Sequence, residues 1–233
     1  MKLKKAKLIS ILKQDLESLG FVYFRDSRPL FQGTFYMKVE GDMFLALCLV
    51  INRFYDSLFT ASYYLSPTTC VGATWGDIPK DSYERPGYIL TENEFVQFSK
   101  DGNLMARDIW FDGFDENDVN DFIQIIKLTY KRFASNLDLR ERIEQSKDVK
   151  VLVTLSRKTL ELVARREFDE GLEYQPEKEI DGVPLDWFRA SETALRKEGY
   201  ILNKHTVRGF AADAYRQFCL SKDGNPVYTK SNP

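Results

Sequence analysis

The sequence of 233 residues contains one histidine and three cysteines. Catalysis through a Ser–His–Asp or Cys–His arrangement would have to use His205, which we expect to be solvated or capping at the start of the last helix. A metal site with several histidine ligands is excluded, and the absence of a C-x-x-C pair argues against structural zinc and disulfide scaffolds. We therefore predict a protein of the reducing cytoplasm that uses no metal and no cofactor.

Long apolar runs and glycine-rich phosphate-binding motifs are also missing. The longest apolar run, Met43–Ile51, has the length of a strand, so we expect no membrane span. The patterns G-x-x-x-x-G-K-[ST], G-x-G-x-x-G and G-x-S-x-G do not occur, which removes the usual phosphate cradles and the nucleophile turn of α/β hydrolases. The calcium-loop pattern D-x-[DN]-x-[DN]-G is absent as well.

Neither sign of charge dominates, since 33 basic residues face 35 acidic ones and the net charge is -2. A protein dedicated to nucleic acid normally has a basic excess, so this balance argues against nucleic acid as the partner. Tyr36, Tyr63 and Tyr64 could offer stacking faces on a sheet. However, binding of a single strand also needs a basic groove, and here the basic residues are dispersed among acids.

The first thirteen residues include five lysines, which raises the hypothesis of a helix lying on a membrane surface. Its polar face also carries Asp15 and Glu17, and it has no aromatic residue that could anchor it in lipid. An ordinary amphipathic helix packed on a protein body is therefore favoured. The helical spacing is shown by Leu8, Ile9, Leu12, Leu16 and Leu19.

Hydrophobic periodicity predicts an α+β fold. The first helix should end at Gly20, a residue suited to the left-handed conformation that follows a helix. Consecutive strands with short turns then favour an antiparallel sheet, with the first helix covering one face. We predict the helix over residues 3–19 and strands over 21–25, 31–39, 43–52 and 58–65.

The second half of the chain is predicted to be mostly helical. Asp115 is a good N-cap residue, and Glu116 and Asp118 in the next turn complement the helix dipole. We therefore divide the chain into an α+β domain over residues 1–115, with a long loop at 66–92, and a helical region over 116–233. The helical region is either separate or packed on the same body.

The long loop carries the residues that we expect to bind. Trp75 and Tyr83 are amphipathic anchors of the kind that dominate binding surfaces, and Arg85 can grip a carboxylate with two hydrogen bonds. We expect a small ligand or a partner protein to contact Trp75, Tyr83, Arg85, Tyr64 and Trp110. The alternative is structural: Trp75 covers the core, and Arg85 pairs with a nearby acid.

Acidic residues of the same region raise a second hypothesis, a carboxylate-dependent hydrolase of the glycosidase type. Such enzymes place two carboxyl groups across one bond of the substrate, and neighbouring aromatic rings can bind the sugar. The hypothesis requires at least two of the acids to face one cleft. The candidates are Asp77, Asp81, Glu84, Glu92, Glu94, Asp108 and Asp112.

Residues 1–90 resemble an uncharacterised bacterial domain of unknown function, whose members begin with a helix ending in Leu-Gly-Phe and continue with strands. The resemblance is carried by Leu19-Gly20-Phe21, Tyr23-Phe24-Arg25 and Tyr64-Leu65-Ser66-Pro67. It implies a bacterial cytosolic α+β protein, and domains of this general kind include immunity or partner proteins encoded near toxin genes. It assigns no catalytic residue. A non-catalytic protein- or ligand-binding module is therefore the leading hypothesis, ahead of the hydrolase.

Overall fold

The computed structural model describes residues 2–25, 34–69, 83–99, 107–168, 182–200 and 204–221. They form an N-terminal helix, an antiparallel six-stranded sheet and a mostly helical C-terminal region, so the predicted α+β fold is confirmed. The helices are α1 (Lys5–Ser18), α2 (Pro86–Ile89), α3 (Glu92–Phe98), α4 (Glu116–Ala134), α5 (Leu137–Gln145), α6 (Lys147–Arg165), α7 (Leu185–Lys197) and α8 (Lys204–Leu220). The strands are β1 (Val22–Arg25), β2 (Thr34–Glu40), β3 (Met43–Ile51), β4 (Leu58–Ser66), β5 (Tyr83–Glu84) and β6 (Phe111–Asp112).

Helix ends follow the local signals in the sequence. Gly20, which follows the C-cap residue Leu19 of α1, has a φ of 84°, a value that a residue with a side chain rarely adopts. The side chain of Asp115 accepts a hydrogen bond from the backbone N–H of Asn117 at 2.8 Å, so the predicted N-cap of α4 is confirmed. In the part of the chain described, no helix combines the length and the apolar character needed to cross a bilayer.

The sheet has the order β1-β2-β3-β4-β5, and β6 also pairs with β4. Strand β3 takes one edge of β4, so the two short strands β5 and β6 share the other edge. Strand β5 pairs with the C-terminal part of β4, where Tyr64 lies opposite Tyr83. Strand β6 pairs with the N-terminal part of β4, where Phe59 lies opposite Phe111. An interval of the β4 edge is left between the two short strands.

Helices α1 and α4 supply much of the core of the sheet. In α1 the buried positions Leu8, Leu12 and Leu16 recur every four residues, as expected for one helix face. Their burial in the protein argues against α1 as a membrane-surface helix. On α4, Phe122 packs edge-on against Phe59 of β4, with ring centroids 5.0 Å apart. The remaining buried apolar residues of α4 include Ile123, Ile125, Ile126, Tyr130 and Phe133.

Two of the tyrosines considered as stacking faces are core residues. Tyr36 and Tyr63 are both 0% exposed. The Tyr63 hydroxyl lies 2.9 Å from the Thr129 hydroxyl, and burial raises the pKa of Tyr63 far above its usual range. Burial likewise raises the pKa of Tyr36 to about 12. Neither ring is accessible to a nucleic-acid base, so the stacking role considered for these two residues was wrong.

The chain divides into two compact units. The first contains residues 1–40, 45–65 and 81–140, and the second contains residues 41–44, 66–80 and 141–233. Helix α4 therefore belongs to the first unit together with most of the sheet, although the sequence places a boundary before it. The division of the chain between residues 115 and 116 stays a prediction.

In the second unit, α6, α7 and α8 pack against one another around both apolar and polar side chains. Asp213 and Arg216 form an ion pair whose side chains are only 5% and 4% exposed. Ser156 donates a hydrogen bond to Gln217 at 2.7 Å. Removing a charge from water costs free energy. Replacing either residue of the pair by a neutral one would leave the other charge buried without its partner, which would strongly destabilise the fold.

In the first unit, an ion pair joins α3 to α4. Both terminal nitrogens of Arg132 donate to the Glu94 carboxylate, at 2.6 and 2.7 Å. The same carboxylate accepts from the backbone N–H of Thr91, whose hydroxyl in turn accepts from the N–H of Glu94. The hydrogen bonds from Arg132 and Thr91 lower the pKa of Glu94 to about 2.

We predict that Glu94→Gln lowers the free energy of unfolding by about 1 kcal/mol at neutral pH, the amount typical of a well-aligned but partly exposed pair. Glutamine can keep the capping bond to Thr91 and loses only the charge. The native pKa of Glu94 lies below the unfolded value of about 4.3, so its contribution is full above about pH 5 and is lost as the pH falls towards 2.

Urea unfolding of both proteins across this pH range measures the effect. Glu92→Gln is the matched control, because Glu92 is an exposed acid in the first turn of the same helix. The prediction is wrong if the difference between wild type and Glu94→Gln persists unchanged at the acid end, or if the control shows the same pH profile.

Candidate functional site

Four of the five predicted binding residues meet at the outer edge of β4. Tyr64 of β4 and Tyr83 of β5 are direct cross-strand partners, and their rings stack with centroids 5.4 Å apart and planes inclined by 24°. Arg85 directly follows β5, and Trp110 directly precedes β6. Trp75 lies outside the described residues.

Asp108 connects Arg85 to Trp110. Its Oδ1 accepts from Nη1 of Arg85 at 2.5 Å, and its Oδ2 accepts from Nε1 of Trp110 at 3.1 Å. The guanidinium carbon of Arg85 lies 5.2 Å from the centroid of the Trp110 ring, within range of a cation–π interaction. The structural alternative proposed for Arg85, pairing with a nearby acid, is therefore what the geometry shows. We call Tyr64, Tyr83, Arg85, Asp108 and Trp110 the edge cluster.

The segment that carries Asp108 and Trp110 is held from two sides. On the sheet side, the Thr60 hydroxyl donates to the Ile109 carbonyl at 2.9 Å, in the interval of the β4 edge between β5 and β6. On the other side, α2 approaches so closely that a Cβ on Gly87 would lie 2.1 Å from the carbonyl oxygen of Arg107. Only glycine permits this approach, which brings Arg85 near Asp108.

The members of the edge cluster differ in accessibility. Tyr83 is 48% exposed, whereas Tyr64 lies partly buried beneath it. Burial raises the pKa of Tyr64 well above its usual range, with smaller contributions from Cys48 and Tyr83, so its hydroxyl stays protonated near neutral pH. The Arg85 side chain is 29% exposed and that of Asp108 is 35% exposed. Tyr83, Asp108 and Arg85 therefore offer accessible surface, and Tyr64 lies beneath Tyr83.

A cavity of about 470 Å³ adjoins the edge cluster. Trp110 and Asp108 form part of its wall, and α3 contributes the aromatic rings of Phe95 and Phe98. Its lining in the described residues includes three carboxylates and no Lys, Arg or His. The full lining is Phe95, Gln97, Phe98, Ser99, Asp108, Ile109, Trp110, Phe111, Asp118 and Asp121.

The three carboxylates of the cavity are not equivalent. Both oxygens of Asp108 are occupied by Arg85 and Trp110. Asp118 is buried, and its Oδ2 accepts from the backbone N–H of Asp112 at 2.8 Å. The side chain of Asp121 is half-buried and has no hydrogen-bond or ion-pair partner among the described residues. Asp121 is the acid with capacity to interact with a ligand.

Among the proposed loop acids that the structure describes, Asp108 is the one that lines the cavity. Glu94 is bound to Arg132, and Asp112 accepts from the Ser57 hydroxyl at 2.9 Å. Glu84 accepts from the backbone N–H of Arg85, Glu92 is exposed on α3, and Asp77 and Asp81 lie outside the described residues. Within the part of the chain described, no group of three or more His, Cys, Asp or Glu side chains could hold a metal ion.

Sequence reasoning missed Phe95, Phe98, Asp118 and Asp121 as site residues. The available signal was the spacing of the two aspartates, because residues three apart on a helix lie on the same face. From the sequence, Asp118 has only the role of complementing the helix dipole. Nothing in the sequence indicates that this face of α4 lies against the segment that carries Trp110.

We predict that Asp108→Asn lowers the free energy of unfolding by about 1 to 2 kcal/mol, because Arg85 loses the charge it pairs with in a partly desolvated position. Asp121→Asn, the matched control in the same cavity, should change it by less than about 0.5 kcal/mol, because Asp121 supports no described contact. Thermal and urea unfolding measure both. An equal loss in the two variants would show that Asp121 has a structural role and would contradict this assignment.

No protein-family model matches the sequence, and neither a curated protein nor a solved structure matches it.

Proposed function

We propose that the chain is a non-catalytic binding module that holds a small ligand or a segment of a partner protein at the edge cluster and its cavity. The observation that carries this proposal is the convergence of Tyr64, Tyr83, Arg85 and Trp110 beside a cavity of about 470 Å³. Ligand sites are concave and are lined by aromatic side chains together with a few placed polar groups, and the cavity has this character.

The edge cluster is organised before a partner arrives. Asp108 fixes Arg85 and Trp110 in one arrangement, and the ring of Tyr64 supports Tyr83. Side chains that are already ordered lose little conformational entropy on binding, so more of the contact free energy is retained as affinity. Tyrosine, tryptophan and arginine are also the residue types that contribute most at binding surfaces.

The cavity favours a positively charged group of the ligand. Its described lining contains carboxylates and no basic residue, and Asp121 is available to pair with a cation. The half-buried ring of Phe98 can contact the apolar stem that carries the charge. Phe95 is only 1% exposed, and the guanidinium carbon of Arg107 lies 5.4 Å from its ring centroid, so Phe95 supports the wall of the cavity. A lysine or arginine side chain of a partner, or a small molecule with a primary amine, has this chemistry.

The cellular location and the source that we propose for the protein are inferred from its sequence. The three scattered cysteines and the resemblance of residues 1–90 to a bacterial domain support a cytoplasmic bacterial protein. Immunity and partner proteins encoded beside toxin genes have functions of this kind. A toxin gene adjacent to the coding sequence would support this role.

Two peptides test the ligand chemistry, namely an acetylated Gly-Lys-Gly amide and its norleucine analogue, which keeps the aliphatic chain and removes the ammonium group. We expect the lysine peptide to bind about tenfold more tightly, a difference of about 1.4 kcal/mol. Asp121→Asn should abolish this preference, and Tyr83→Ala should weaken the binding of both peptides. Isothermal titration calorimetry measures the affinities.

Tyr55→Ala is the matched control, because Tyr55 is an exposed tyrosine (64%) that contributes neither to the edge cluster nor to the cavity lining. It should leave both affinities unchanged. Equal affinity for the two peptides, or a preference that survives Asp121→Asn, would contradict the proposed chemistry of the cavity.

A carboxylate-dependent hydrolase is the second candidate function. It is favoured by one observation, namely that Asp108, Asp118 and Asp121 line the same cavity. Against it, Asp108 and Asp118 are already engaged by neighbouring groups of the protein. A screen of glycoside and phosphodiester substrates distinguishes the two functions, since turnover that is lost in Asp121→Asn would place the hydrolase ahead of the binding module.

A further inference from the structure

The turn between β3 and β4 presents two aromatic side chains to solvent. Phe54 is 90% exposed and Tyr55 is 64% exposed. The turn is not loose, because the Asn52 side-chain oxygen accepts from the backbone N–H of Phe54 at 2.8 Å and of Tyr55 at 3.2 Å. The N–H of Asn52 also donates to the Leu58 carbonyl at 2.8 Å. The two aromatic rings are thus held at a projecting, ordered tip.

Basic residues lie beside this tip. The backbone N–H of Leu3 donates to the carbonyl of Asp56 at 2.6 Å, which brings the N-terminal segment next to the turn. The Leu3 side chain is buried, and the backbone at Lys4 is extended, so Lys2 and Lys4 flank it on the opposite side and are exposed. Arg53 is exposed within the turn itself.

A third aromatic residue completes the surface. The backbone N–H of Gly113 donates to the carbonyl of Ser57 at 2.9 Å, so Phe114, which is 39% exposed, lies close to the turn. Lys7 of α1 lines the same groove as Phe114. We call the combined surface the tip patch; it consists of Lys2, Lys4, Lys7, Arg53, Phe54, Tyr55 and Phe114.

Acidic residues also lie at this corner of the first unit. Asp56 is the acid within the turn, and Asp112 of β6 accepts a hydrogen bond from the hydroxyl of Ser57 in the same turn. The acids of the adjoining groove belong to α1 and to the start of α4. Of these, Asp115 already caps the backbone N–H of Asn117. Within the turn and the segment 2–4 that is hydrogen-bonded to it, the exposed basic side chains are Lys2, Lys4 and Arg53, and the exposed acid is Asp56. The acids of the adjoining groove are Asp15, Asp115 and Glu116.

We propose that the tip patch docks on an anionic phospholipid surface, with Phe54 and Tyr55 entering the headgroup layer and Lys2, Lys4 and Arg53 contacting the lipid phosphates. Aromatic side chains are favoured at this depth of a bilayer, and basic residues are attracted to the negative surface. A convex tip makes few contacts with a rigid protein face, whereas lipid headgroups can close around it. The mode differs from a membrane-surface helix, because the apolar face of α1 is buried in the protein.

Sedimentation with vesicles of phosphatidylcholine, with and without phosphatidylserine, tests the proposal on the full chain at low salt. We expect binding that requires phosphatidylserine and that weakens as salt is added. The double variant Phe54→Ala/Tyr55→Ala and the double variant Lys2→Glu/Lys4→Glu should each reduce the partition coefficient by about tenfold or more, because the hydrophobic and electrostatic contributions reinforce each other.

Leu137→Ala and Lys127→Glu are the matched controls, since both residues are exposed and lie outside the tip patch. They should bind vesicles like the wild type. The proposal is overturned if the wild type does not sediment with phosphatidylserine vesicles, or if the aromatic double variant binds as well as the wild type. It is also overturned if the same variants abolish binding to an oligonucleotide or dissociate a dimer while vesicle binding is absent.

Discussion

Two short strands share one edge of β4, and the site depends on this arrangement. Strands β5 and β6 pair with opposite ends of that edge, and the Thr60 hydroxyl holds the segment before β6 in the interval between them. Residues that are more than twenty positions apart, Arg85 and Asp108, are thereby brought within hydrogen-bond distance. The close approach of α2 at Gly87 to Arg107 reinforces the same alignment. The edge of the sheet is covered, and the covering residues are the ones to which we assign recognition of a partner.

The carboxylates in and near the cavity fall into two groups: those that bind neighbouring groups of the protein, and Asp121, which binds none that the structure describes. Asp108 and Asp118 hold the surrounding backbone and side chains in place, and Glu94 fastens α3 to α4 through Arg132. Asp121 is not used in this way, although it lines the same cavity. A carboxylate left without a partner in a partly desolvated position gains most from a cationic ligand. This difference is why we assign recognition to Asp121 and support to the others.

The sequence predicted the longer helices and strands well because their apolar residues repeat with regular periods and their ends carry Gly20 and Asp115. The sequence also named Tyr83 and Arg85 as residue types that suit binding, and the structure places them together, while their role in binding stays a prediction. Pairing of β5 and β6 with β4 was not predictable, because two-residue strands have no periodicity of their own. Asp121 was missed for a related reason: it lies on an amphipathic helix, and its role depends on the segment packed against that helix face.

The measurement that tests the central claim most directly is a fragment screen followed by NMR, because it works without the natural ligand in hand. The indole N–H of Trp110 donates to Asp108 at the wall of the cavity, whereas Trp187 is buried in the helical unit. We predict that amine-bearing fragments shift the Trp110 indole signal and the amide signals of α3, and leave the Trp187 indole signal unchanged. Fragments that bind only in the helical unit, or that never perturb Trp110, would contradict it.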